Sequence, residues 1–150
     1  MDREAFLSQC ALFDVQRLSR VLTSMYNARL RGTGLTMVQF TLLRNAAMET
    51  APLTKLAQAV DMDRTSVTRL LAPLHEEGLI TFAAEEDRRV RNVQVTKKGL
   101  AALKRSEPVW REAQEVLLEA IGEPTWLKLR TSLRNTLRAA REVNAQVMAD

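Results

Sequence analysis

The chain has little of several things that define whole classes of protein. A single cysteine, Cys10, excludes an internal disulfide and makes a reducing, cytoplasmic compartment the expectation. A single histidine, His75, leaves no pair for a His-based metal site and no marked partner for Cys10 or a serine in nucleophilic catalysis. Glycine is sparse. Gly32-Thr33-Gly34 has no third glycine and follows a helical segment instead of a strand, so it is not a phosphate-cradling loop. The adjacent carboxylates Glu76-Glu77 and Glu85-Glu86 would project roughly 100° apart on a helix, which does not suit two acids sharing one reaction. No run approaches the roughly 18 apolar residues of a membrane span. Asp2, Arg3 and Glu4 precede any apolar run, so no secretory leader is expected. Repeats and low-complexity segments are absent. Catalysis, cofactor and metal binding, and membrane association are therefore not expected.

What is present is apolar residues at helical spacing and a localised positive charge. At 150 residues the chain is one domain by length, able to bury roughly two-thirds of its unfolded surface. Its net charge of +4 is uneven. Residues 87–105 hold seven Lys or Arg (88, 89, 91, 97, 98, 104 and 105) against one acid, Asp87, the footprint expected of a surface for nucleic acid or another acidic partner.

The segment from Leu53 to Gly99 carries the most information. LTKLAQAV (53–60) and DRTSVTRLL (63–71) read as two short helices joined through Asp61 and Met62. Two apolar runs follow Gly78, Leu79–Phe82 and Val90–Val95, and read as a β-hairpin whose tip holds Asp87, Arg88 and Arg89, with Arg91 just beyond. Helix, turn, helix and wing in this order allow one helix to enter a DNA groove. On a helical wheel Val67, Leu70, Leu71 and Leu74 form the inward stripe of the second helix. Thr65, Arg69 and Ala72 lie opposite, with Ser66 and Thr68 on the flanks. That outward face is short, polar and cationic and has no carboxylate, whereas a merely solvated face usually mixes Glu with Lys. An arginine there can bridge guanine's two acceptors. Asp87 is close enough to Arg89 to hold its guanidinium in one orientation, suited to a narrow minor groove.

Flanking helices complete the pattern. Phe6, Cys10, Phe13, Leu18, Val21, Leu22 and Met25 recur at helical steps from Arg3 to Leu30. Thr36 and Gln39 form a capping box for a helix to about Glu49. Thr96 caps a long helix to about Ile121, whose stripe of Leu100, Leu103, Trp110, Ala113, Leu117 and Ile121 keeps phase through Pro108, so a kink and not a break is expected there. A last helix runs from Thr125 to about Met148. Pro73 is expected to bend the second helix of the pair or to end its regular part. His75 suits a helix C-terminus. Tyr26 and Met37 suit the core, and Arg17 a solvated face. The apolar helices at both chain ends exceed what the central module needs; they either cap its core or form an interface with a second copy.

The residues LTKLAQAVDMDRTSVTRLLAPLHEEGLI (53–80), with Asp87-x-Arg89 and Val95-Thr96-x-x-Gly99, resemble the MarR family of bacterial winged-helix transcription regulators, and the resemblance covers nearly the whole chain. It implies a mainly α fold with a small β-hairpin wing. Residues 36–96 would be the winged helix-turn-helix module and residues 1–35 and 97–150 the dimerisation helices, in a single domain of 1–150. It implies a cytoplasmic homodimer that binds a pseudo-palindromic operator in double-stranded DNA, as a repressor released by a small aromatic or phenolic effector. It puts Arg64, Thr65, Ser66, Thr68 and Arg69 at the major groove and Arg88, Arg89 and Arg91 at the wing, with Asp87 orienting Arg89. One branch of the family senses peroxide through a first-helix cysteine. The matching position here is Leu12, about 200° around the helix from Cys10. A cysteine sensor using Cys10 and a helical adaptor that binds protein instead of DNA are the alternatives.

Overall fold

A computed structural model describes residues 10–48, 51–83 and 92–148. Helix α1, Ala11–Leu30, closes in a 3-10 turn, Arg31–Thr33, where the Thr33 hydroxyl donates to the Leu30 carbonyl at 2.8 Å. Helix α2 is Met37–Met48, and its capping box is formed as expected. Thr36 N–H donates to Gln39 Oε1 at 2.9 Å, and Gln39 N–H to Thr36 Oγ1 at 3.2 Å. Asn27 of α1 accepts the Met37 N–H at 2.7 Å, which stitches α1 to the start of α2.

Helix α3, Leu53–Ala59, and helix α4, Arg64–Glu76, are joined by a turn in which Asp61 adopts φ +52°, a left-handed conformation that aspartate tolerates better than most residues. The hairpin follows as β2, Ile80–Ala83, and β3, Asn92–Val95, in register from Ile80 opposite Val95 to Ala83 opposite Asn92. A two-residue strand, β1 (Ala51–Pro52), pairs with the other edge of β3 and gives the sheet order β1-β3-β2. The sequence reading has no counterpart for β1, because two residues carry no periodicity. Helix α5 is Lys97–Ile121 and α6 is Glu123–Val147.

The chain divides into two compact units, one up to Trp110 and one from Arg111 onward. The core of the first joins α1 to α5. Leu30, Leu35, Phe40, Leu42, Leu43, Leu53, Leu56, Val67, Leu71, Leu74, Leu79, Ile80, Val93 and Ala102 are all buried there. Each large side chain so buried contributes about 1.5–3 kcal/mol relative to exposure. The second unit is the later part of α5 followed by α6. Gly122, at φ +77°, turns the chain between them, and Pro124 occupies the first turn of α6, where its missing N–H costs no bond. No α6 residue is buried, and Leu133, Leu137, Val143 and Val147 are exposed.

Of the two outcomes expected at Pro73, an end to the helix is not observed: α4 runs on to Glu76. In the apolar stripe of α5, Ala113 is buried and Leu103, Trp110, Leu117 and Ile121 are half-buried, whereas Leu100 is 51% exposed. Gly99, Ala102 and Ser106 are buried on the same helix. Ser106 is fully buried and its hydroxyl donates to the Ala102 carbonyl at 2.9 Å, which offsets its desolvation. The expected continuity of α5 through Pro108 is observed.

Candidate nucleic-acid interface

Helix α4 is fixed in rotation by its inward face. Val67, Leu71 and Leu74 have no exposed surface, and Leu70 is half-buried against the same core. With those anchored, a period of 3.6 residues turns Thr65, Arg69 and Ala72 into solvent, and all three are exposed, as is Arg64. Ser66 and Thr68 are half-buried on the flanks. The exposed and flanking positions are those the wheel gives.

The first turn of α4 is held by a residue outside the expected site. Asp63 is not the first helical residue but the N-cap. Its Oδ1 accepts the Ser66 N–H at 2.9 Å, and its Oδ2 accepts the Ser66 hydroxyl at 2.6 Å. These bonds, the Ser66 hydroxyl first, hold the Asp63 carboxyl below its ordinary pKa. The signal was available in the sequence: aspartate is a preferred N-cap, and a cap accepts from the amide two or three residues on. The Thr68 hydroxyl donates back to the Arg64 carbonyl at 2.8 Å.

At its other end α4 is joined to the base of the wing and to α5. His75, in the last turn as expected, places Nδ1 3.2 Å from the Ile80 carbonyl, with its ring tilted against Phe82 at 5.1 Å. The Thr96 hydroxyl donates to the Gly78 carbonyl at 2.7 Å and accepts the Gly99 N–H at 3.1 Å. The Lys98 ammonium donates to the Glu77 carbonyl at 2.6 Å, where the negative end of the α4 dipole favours it. Gly99 lies so close to Leu79, just before β2, that a Cβ there would collide with the Leu79 carbonyl oxygen and meet Val95 Cγ1 of β3 at 2.7 Å. The Thr96-x-x-Gly99 spacing thus has a mechanical meaning: it clamps α4, the base of the hairpin and α5 together.

The two strands of the wing are present, but the tip is not among the described residues. Asp87, Arg88, Arg89 and Arg91 lie outside them. One further group has no counterpart in the sequence reading. The Arg44 guanidinium of α2 sits 5.0 Å from the Trp110 ring centroid and 3.7 Å from Glu107 Oε1, beside the stacked Phe40–Trp110 pair at 5.9 Å. It braces α2 against α5 through rings that sequence spacing does not bring together. Cys10 is half-buried at the N-cap of α1, Tyr26 is buried, Met37 is half-buried and Arg17 is exposed. Among the described residues there is no cluster of three His, Cys, Asp or Glu that would hold a metal ion, and no helix long and apolar enough to cross a membrane.

A helix-turn-helix whose second helix is exposed and polar, followed by a hairpin and clamped to a long helix, defines a winged helix-turn-helix protein. The sequence pattern of the MarR family matches residues 35–90. The DNA complex of the transcriptional regulator MosR from Mycobacterium tuberculosis superposes with a TM-score of 0.83 at 31% identity, over 90% of this chain and 98% of that one. CouR from Rhodococcus jostii RHA1, bound to p-coumaroyl-CoA, gives 0.73 at 20% identity, over 87% and 93%. The MepR–DNA complex of Staphylococcus aureus gives 0.76 at 18% identity, over 87% and 98%. These last two show the shared fold. The chain belongs to the MarR family, a family and fold of transcriptional regulators.

Proposed function

We propose that this chain is a homodimeric repressor that reads a pseudo-palindromic operator in double-stranded DNA. Helix α4 enters the major groove with Arg64, Thr65, Ser66, Thr68 and Arg69. The wing follows the adjacent minor groove with Arg88, Arg89 and Arg91, and Asp87 orients Arg89. The observation that carries the reading is the division of α4: Val67, Leu71 and Leu74 wholly inside, Thr65 and Arg69 in solvent. The 31% identity to a regulator solved on DNA supports it.

Dimerisation is supported by apolar surface that a lone subunit leaves wet. On α1, Leu12, Val15, Leu18 and Val21 are exposed, and on α6 Leu133, Leu137, Val143 and Val147 are exposed. Exposed apolar side chains in such number on two helices mark a surface that a partner covers. We assign residues 1–35 and 97–150 to that interface and 36–96 to the reading module. A two-fold axis then sets two copies of α4 about 34–36 Å apart, one DNA turn. Release by a small aromatic or phenolic ligand is part of the same reading, supported by the p-coumaroyl-CoA and salicylic acid complexes of structural relatives. A soluble DNA-binding repressor of this kind works in the cytoplasm.

Gel-shift titration of Arg89→Ala on duplex DNA carrying the intergenic region upstream of the gene tests the wing. The expected result is weakened binding by a dimer that stays folded. Wild-type affinity in that variant would remove the wing from the mechanism.

A further inference from the structure

The two flanking hydroxyls of α4 have already committed their protons inside the helix. Ser66 donates to Asp63 Oδ2 at 2.6 Å, and Thr68 donates to the Arg64 carbonyl at 2.8 Å. A hydroxyl has one proton and two lone pairs, so each turns only acceptor capacity outward. The Ser66 bond is the firmer of the two. Its acceptor is a carboxylate, its length is that of a charge-assisted bond, and the same carboxylate is held from the other side by the Ser66 N–H at 2.9 Å. The carboxylate itself is exposed.

On the proposed reading of α4 as the major-groove helix, we infer that Asp63 and Ser66 form an acceptor surface that selects bases carrying an amino group, cytosine or adenine, on the strand they face; Thr68, about 200° around the helix from Ser66, lies outside that surface. Cytosine N4 and adenine N6 are the amino donors of the major groove. Guanine O6 and N7, thymine O4 and phosphate oxygens are acceptors. They would meet a carboxylate and lone pairs with no proton between. Asp63 is thereby a specificity-determining residue, one that rejects the wrong base as well as favouring the right one. Arg69 supplies the opposite polarity, a fork of donors that suits guanine. Asp63 and Arg69 lie six positions apart, about 9 Å along the axis of α4, so they face different base pairs. The half-site should therefore contain a guanine position and a separate adenine-or-cytosine position.

The test is selection from a fully randomised duplex library by the full-length wild type, Asp63→Asn and Ser66→Ala, with sequencing of the bound fractions. Asparagine caps helices as well as aspartate does but adds N–H donors and removes the charge. The expected wild-type half-site has one guanine position and one adenine-or-cytosine position. In both variants the second preference falls by roughly fivefold or more, the lower end of discrimination by one contact, while the guanine position stays. In Asp63→Asn, guanine or thymine rises there. Unchanged base frequencies in both variants would overturn the inference, as would Ser66→Ala weakening every sequence alike, the mark of a phosphate contact. Enrichment of no sequence by the wild type is a different result: it removes the DNA-reading assignment, and this inference with it.

Discussion

Asp63 and Gly99 each do at one position what no neighbour can replace. Asp63 holds the first turn of α4 through the Ser66 hydroxyl and amide. Those bonds lower its folded-state pKa, so the stability it contributes is present above the unfolded carboxylate value, about 3.9. It is lost as pH falls through the lower folded value. We expect wild-type stability, followed by urea unfolding from neutral pH downward, to lose its advantage over Asp63→Ala as the solution is acidified. A constant difference across that range would contradict the coupling. At Gly99 a side chain would strike the Leu79 carbonyl and Val95. Gly99→Ala should therefore destabilise by about 1–3 kcal/mol, the usual cost of overpacking, although alanine is the better helix former. An unchanged midpoint in the same unfolding assay would show that the clamp relaxes freely. The spacing Thr96-x-x-Gly99 was legible in the sequence. Its reason was not, because the close approach of Leu79 and Val95 to α5 is a tertiary fact.

At the scale of the element, the wheel of α4 reads correctly because three large apolar residues, Val67, Leu71 and Leu74, fix its rotation by themselves. Helix α5 shows what such reading leaves out. Its buried side includes Gly99 and Ser106, neither of which registers as apolar, while Leu100 of the apolar stripe is 51% exposed. The contact of Gly99 with Leu79 and Val95 holds that side inward, which hydropathy alone does not show. Pro73 is exposed inside α4 and leaves the helix unbroken. A proline in a helix interior costs about 3 kcal/mol. Loss of its stiffening of the unfolded chain offsets up to about 1 kcal/mol of what its removal gains. Pro73→Ala should thus raise stability by about 1–2 kcal/mol, read as a higher denaturation midpoint; a lower one would mean that the proline is packed to good effect. Arg69→Ala should reduce preference for operator over random duplex by about 1–3 kcal/mol in competition gel shifts, whereas a uniform loss on both would assign Arg69 to the phosphates.

The whole molecule is defined by surfaces left open. Leu133 and Leu137 of α6 are 40% and 44% exposed, and Leu12 of α1 is 63% exposed. Leu133→Glu with Leu137→Glu should give a folded monomer in sedimentation experiments and lose operator affinity, since each half-site is then bound alone. A dimer that survives both changes would place the interface elsewhere. The surplus of apolar helix at the chain ends was legible in the sequence. What covers it was not, because a stripe on a helix reads the same whether its neighbour belongs to its own subunit or to another.

The central claim, that the face of α4 and the cationic wing engage duplex DNA, is tested most directly by the salt dependence of duplex affinity. Each phosphate neutralised contributes about −0.9 to the slope of log K against log salt. A dimer with at least two such contacts per protomer should give a slope of about −4 or steeper. A flat slope, or no duplex binding at low salt, would contradict the account and leave a helical adaptor that binds protein.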